Sequence, residues 1–145
     1  MPIAARNDPY LNFNFRVEIE GAEVARFSEV DLPEGRIETI AYRAGGDLGR
    51  ARQLPGRVEY GRVVLRHGFA GDPRLFQWWR AVAEGNLDRR NLAIILLDEL
   101  RRDKVRWAVY EAWPARWVGP SFRALGNAVA IETIELAHEG IEQIV

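Results

Sequence analysis

Cysteine is absent from this chain of 145 residues, which excludes a disulfide framework, a thiolate nucleophile and a cysteine-ligated metal. The absence fits the cytoplasm. Histidine is nearly absent too: His67 and His138 stand alone, neither with a second ligand at zinc-binding spacing. Ser28 and Ser121 are the only serines, and neither sits in a nucleophile elbow. No stretch approaches the roughly 20 apolar residues of a membrane-spanning helix. Met1 to Asn12 lacks the basic start and apolar centre of a signal peptide, which argues against conventional secretion. A net charge of -1 gives no general attraction to nucleic acid or anionic membrane. Lysine is missing apart from Lys104, although the basic residues number 20. A genomic codon bias accounts for that usage. Arginine's planar fork also suits bidentate pairs across protein interfaces.

What remains is an ordinary globular composition, 48% hydrophobic and 28% charged, in a length that suits one domain with a real core. Residues 1–12 read as an N-terminal arm, with Asp8-Pro9 as a turn and Tyr10 as its first anchor. Phe13, Phe15, Val17 and Ile19 alternate with polar residues, the period of a half-buried strand. Gly21-Ala22 turns into a second strand over about Glu23 to Val30. Glu18 and Glu20 read as its partner's solvated face, not as a catalytic pair. A third strand near Ile37 to Arg43 leads into residues 44–57, a long stretch without periodicity that carries Arg50, Arg52 and Arg57. Its glycines have the wrong spacing for a phosphate loop, and no Gly-Lys-Ser/Thr follows.

Val58 to Arg66 is the fourth strand, with Gly61 as a bulge or close approach. Asp72 as N-cap, Pro73 as first residue and Gly85 as stop delimit the one convincing helix. Trp78 and Trp79 read as a plug over one end of a sheet. Asn91 to Leu97 is apolar on both faces, like a central strand. Asp98 to Lys104 forms a charged turn, and the returning strand from Val105 is expected to break or bend at Pro114, between Trp113 and Trp117. The last strand lies between Gly126 and Gly140. Its faces, Val129, Ile131, Thr133, Glu135 and Ala130, Glu132, Ile134, Leu136, are both mixed. The sum is mainly β: an antiparallel barrel or sandwich with one flanking α-helix. No residue pattern calls for a catalytic, cofactor or metal site.

An ordered set of short stretches carries a resemblance over nearly the whole chain. They are Asp8-Pro9-Tyr10, Phe27-Ser28-Glu29-Val30, Tyr42-Arg43 with Gly45-Gly46, Leu54-Pro55-Gly56 before Tyr60-Gly61, Arg89-Arg90-Asn91 into Leu96-Leu97-Asp98, Ala112-Trp113-Pro114 with Trp117, and the Gly126 to Gly140 strand. Together they resemble the tail tube proteins of contractile phages and of phage-like, extracellular contractile injection systems. Leu32-Pro33-Glu34 and Gln53 depart from the pattern.

The resemblance implies a structural subunit with no enzymatic role. Six copies would close into a ring and rings would stack into an inner tube, a conduit for DNA or effector proteins. Sheath, baseplate and cap proteins are the implied partners, with no membrane insertion of its own. Assembly would be cytoplasmic, within a phage tail or a particle released outside the cell. The 44–57 loop and the arm would then reach neighbouring subunits, through Tyr10, Arg43, Asp47, Arg50, Arg52, Leu54 and Arg57. Glu132 and Glu135 become lumen or interface carboxylates, on opposite faces of their strand. The alternatives are a tube initiator or baseplate adaptor of the same machine, a stand-alone small-ligand β-barrel, which would need an apolar internal pocket, and an OB-like nucleic-acid binder, disfavoured by charge.

Overall fold

The structure, a computed structural model, describes residues 14–20, 22–23, 27–43, 45 and 49–144. Along them run β1 (Asn14–Ile19), β2 (Ala22–Glu23), β3 (Glu29–Asp31), β4 (Gly35–Tyr42), β5 (Arg52–Tyr60), β6 (Val63–Gly68), α1 (Arg74–Ala83), β7 (Arg90–Leu97), β8 (Asp103–Val118), β9 (Ile131–Ala137) and β10 (Gly140–Ile144). Every strand pairing is antiparallel. The main sheet has the order β2-β1-β7-β8-β9-β6-β3, with β10 also on β8, while β4 and β5 form a separate two-stranded sheet. The fold is therefore mainly β with one helix, as its residue pattern implies.

β8 joins two half-sheets. Its first part, from Asp103 to Ala112, lies beside β7, and Arg106 to Tyr110 also lie beside β10; Trp113 to Val118 pair instead with β9. The half-sheets face each other across one core. Val17, Ile19, Leu92, Ile94 and Val109 come from one side, Val63, Leu65, Ile134 and Leu136 from the other. Leu75 and Trp78 of α1 complete that cluster, and the Trp78 indole N–H donates to the Asp88 carbonyl at 2.8 Å. An aromatic body with a satisfied polar tip is what a buried tryptophan requires. Because the sheet order ends at β2 and β3, backbone pairing among the described residues does not close the barrel.

Of the two outcomes expected at Pro114, a break or a bend, β8 does not break. The proline sits inside the strand, fully buried, where the register shifts between Pro114 and Arg116. A residue without an N–H is tolerated at such an irregularity. Just before it, Glu111 adopts a left-handed φ of 53°. The Asn91 side chain holds that turn, its Oδ1 accepting from the Glu111 amide at 3.0 Å. On the other side of Asn91, Glu20 is also left-handed, at φ 56°. The Glu20 amide donates to the Asn91 carbonyl at 2.9 Å and the Asn91 amide to Glu20 Oε1 at 2.8 Å. One asparagine thus fixes the end of β1 and the bend within β8. A left-handed residue with a Cβ costs about 1–2 kcal/mol that glycine avoids. Glu111→Gly is accordingly expected to leave stability unchanged or raise it by up to about 1 kcal/mol, as read by urea unfolding. A loss above that size would mean that the Glu111 side chain, not the bend, matters.

Three further differences from the sequence reading have local causes. The second strand is not continuous over Glu23 to Val30: β2 pairs β1, whereas β3 pairs β6 in the other half-sheet. The stretch without periodicity ends at Ala51, and Arg52 to Arg57 belong to β5. Pro55-Gly56 hides that strand in the sequence, yet a two-stranded hairpin is all edge and accommodates proline. At Gly56 a Cβ would meet the Ile40 side chain at 3.0 Å and Glu38 Cβ at 3.2 Å, so glycine permits the close approach there. Finally, β10 continues the chain beyond Gly140. Helix α1 starts one residue later than expected, with Pro73 and not Asp72 as its N-cap; Asp72 Oδ1 still accepts from the Arg74 amide at 3.0 Å, and Gly85 at φ 97° follows the C-terminal turn. Hydrogen bonds from the Arg74 side chain and amide hold the Asp72 carboxyl below its usual range.

Candidate assembly surface

Arg52, Leu54 and Arg57 lie on β5, while Arg43 and Arg50 flank the β4–β5 hairpin; all five are exposed. Tyr10 and Asp47 lie outside the described residues. Among the described residues the hairpin contributes no side chain to the core. Its two roots are tied where it leaves the body, the Gly61 amide donating to the Glu34 carbonyl at 2.8 Å. His138 secures the same point: its Nε2–H donates to the Gly61 carbonyl at 2.9 Å, and its ring lies 5.5 Å from that of Tyr60.

The arginines named from sequence are only half of this surface. Ile37 (54% exposed), Val58 (57%), Ile40 (46%), Leu54 (43%) and Tyr42 (52%) are apolar or aromatic and open. Ile37 stands opposite Val58, and Ile40 opposite Leu54. Successive strand residues point to opposite faces, so Ile37 and Glu38 oppose each other. Glu38 and Ile40 both border the Cβ position of Gly56. One face therefore carries Ile37 and Val58, the other Ile40, Leu54 and Tyr42. Ion pairs brace the blade, Arg36 to Glu59 at 2.7 Å and Arg57 to Glu38 at 3.6 Å. The hydrogen bond it donates to Glu59 raises the Arg36 pKa above its usual value. A hairpin apolar on both faces is not a solvated loop. Alternation of Leu54, Gly56, Val58 and Tyr60 was the available sequence signal, interrupted by Pro55-Gly56.

Glu132 and Glu135 part company. Glu132 is 1% exposed and points between the half-sheets, so its reading as a lumen or interface carboxylate is corrected. Its Oε1 accepts from His67 Nε2–H at 2.5 Å and its Oε2 from the Trp117 indole at 2.8 Å. Trp117 in turn packs on Phe76 of α1, ring centroids 4.8 Å apart. Period two places Glu132 on the side of Ile134 and Leu136, and a carboxylate on an apolar face was the signal of a buried polar cluster. Glu135, on the outward face, receives Arg116, with Arg62 at 3.6 Å.

Beside this ladder, Arg66 bridges Glu29 at 3.3 Å and Asp31 at 2.9 Å. The Asp31 hydrogen bond raises the Arg66 pKa. The outward faces thus carry interleaved charges of both signs. Among the described residues no cluster of three His, Asp or Glu side chains could hold a metal ion. No helix among them is long and apolar enough to cross a membrane.

Solved structures repeat this fold. A chain in the cryo-EM structure of an extracellular contractile injection system, the PVC sheath/tube terminator in its extended state, is 25% identical with a TM-score of 0.85, over 97% of this chain and 100% of that one. One in the tube-terminating cap of the anti-feeding prophage is 24% identical, TM-score 0.85, over 99% and 95%. Hcp1 from Flavobacterium johnsoniae shares the fold at 15% identity and TM-score 0.63, over 89% and 93%. No curated protein sequence matches significantly. Residues 11–142 match the family described as T4-like virus tail tube protein gp19, and the chain therefore belongs to that family of structural tail-tube proteins, which are not enzymes.

Proposed function

We propose that this chain is the repeating subunit of the inner tube of a contractile injection system or phage tail: six copies close a ring, and rings stack into a conduit for DNA or effector proteins. The observation that carries the reading is the hairpin, apolar on both faces and absent from its own core. Burying its half-exposed side chains contributes about 1 kcal/mol each, repeated in every subunit. A blade needing cover on both sides fits between two neighbours. Head-to-tail contacts of this kind close into rings with unlike upper and lower faces, which can stack. Outward faces of balanced charge suit a wall that cargo slides past. Sheath, baseplate and cap proteins are the partners, by analogy with the assemblies named for the structural relatives. Assembly takes place in the cytoplasm.

Baseplate and cap also appear among those assemblies, which favours as second reading a subunit forming a single terminal or adaptor ring. Negative-stain microscopy of the purified protein separates the two: stacked tubes indicate the repeating subunit, isolated rings the second reading. A monomer at high concentration overturns both. Replacing Arg50 and Arg52 with Glu reverses charge beside the apolar blade without touching the core. Tube yield should fall at least about tenfold, a shift of ~1.4 kcal/mol in association, while the thermal midpoint stays put. Normal yield would remove the hairpin from the assembly contact.

A further inference from the structure

Residues 35–60 leave the body of the domain through two short links, one after β3 and one before β6. Among the described residues no hydrogen bond or ion pair joins that stretch to the rest of the domain: Arg36 pairs with Glu59 and Arg57 with Glu38, both within the hairpin. On the body side the links are fixed, Asp31 by Arg66 at 2.9 Å and Arg62 by Glu135 at 3.6 Å. Glycine, the residue with the freest backbone, stands at both roots as Gly35 and Gly61. A recess of about 160 Å³ lined by Glu34, Arg36, Glu59, Tyr60 and Gly61 leaves room for movement there. Across it the body holds the hairpin by one side chain. His138 donates from Nε2 to the Gly61 carbonyl at 2.9 Å, and its ring lies 5.5 Å from that of Tyr60. The grip carries a cost, because the other ring nitrogen, Nδ1, is buried without a hydrogen-bond partner. Such orphans are rare in folded proteins. Leaving one costs about as much as a hydrogen bond and a ring contact together return. Water satisfies Nδ1 once the ring comes away.

From this we infer that the β4–β5 hairpin is a hinged arm in the free subunit and that His138 is its latch, a positioning residue balanced between a closed and an open state. In the closed state, the one described above, the hairpin leaves the body at a fixed angle. When His138 releases the Gly61 carbonyl, the hairpin swings as a unit about Gly35 and Gly61 with its own strand pairing intact. Its movement is that of a rigid element on a hinge of a few loop residues. The inference goes beyond the tube reading and holds whatever the hairpin meets on assembly.

Because the chain has no cysteine, two introduced thiols take a pair of spin labels and nothing else does. Gln53→Cys on β5 and Gln77→Cys on α1 are exposed positions on the arm and on the body. Pulsed electron spin resonance on the dilute monomer should give a major distance for the latched arm and a minor one for the open arm. His138→Ala should raise the open fraction at least about threefold, the effect of losing one hydrogen bond. Tyr60→Leu, acting from the hairpin side, should raise it as well, and the double variant should go no further than the larger single effect, because the two rings form one latch. A role in stability alone would lower the thermal midpoint and leave the distances where they were. One distance, the same in every variant, overturns the latch. Loss of the folded state in both single variants overturns it too, since neither side chain belongs to the core cluster. Absence of rings from the unlabelled chain would overturn the tube reading and leave the latch standing.

Discussion

Glu132→Ala is expected to lower the thermal midpoint by roughly 10 °C. The carboxyl is 1% exposed and accepts from both His67 and Trp117. Truncation leaves two buried donors without partners, at about 1–3 kcal/mol each. A combined loss of about 2–6 kcal/mol is a large share of the 5–15 kcal/mol that holds a domain of this size. Glu132→Gln retains a carbonyl acceptor and, through the other imidazole tautomer, a partner for its amide. It should lose less than half as much. Urea unfolding of the two variants side by side decides the matter: equal losses would show that the shape of residue 132 matters and its hydrogen bonds do not. The Trp117 indole gives a second readout, since its fluorescence should change in Glu132→Ala under native conditions.

Excising the hairpin should do the reverse, removing assembly and sparing the fold. Gly35 and Tyr60 are cross-strand partners, so residues 36–59 can be replaced by Asn-Gly, the two-residue turn that suits such a pair. The root bond between Gly61 and Glu34 and the His138 contact remain. Since no core residue is lost, the unfolding free energy should stay within about 1 kcal/mol, the usual range for changes away from the core. Sedimentation should show a monomer at concentrations where the intact chain forms higher species. An excised protein that still makes rings would place the ring contacts on the body of the domain and refute the role given to the blade.

The sequence marked the core strands well because burial on one face imprints a period of two. Val17 and Ile19 were legible for that reason, whereas Leu92 and Ile94 lie in a run buried on both faces and Ile134 and Leu136 on a strand whose faces both read as mixed. The sequence was least legible in the hairpin, above all in β5. β4 and β5 carry apolar side chains on both faces, so no alternation separates inside from outside, and Pro55-Gly56 looks like a turn. Pro114 need not end its strand, because the rule that proline does so assumes a ladder bond at that position, and β8 changes partners there. The arginines of this hairpin and Leu54 were named on the resemblance, while Ile37, Ile40 and Val58 beside them were not. Glu132 shows the limit of pattern. Its neighbours in sequence announced an apolar face, but only the arrival of His67 from β6 and Trp117 from β8 explains how a carboxyl stays there.

The shared strand β8 also bears on mechanics. A subunit pushed end-on within a driven tube must pass thrust from the face that receives it to the face that delivers it. In a sandwich of two separate sheets that force would cross the core through side-chain packing, which yields by sliding. Here one uninterrupted backbone of sixteen residues runs through both half-sheets, so part of the load travels along covalent bonds. The asparagine-held bend beside Glu111 is the weak joint of that strut, and pulling on single molecules should find first yield there.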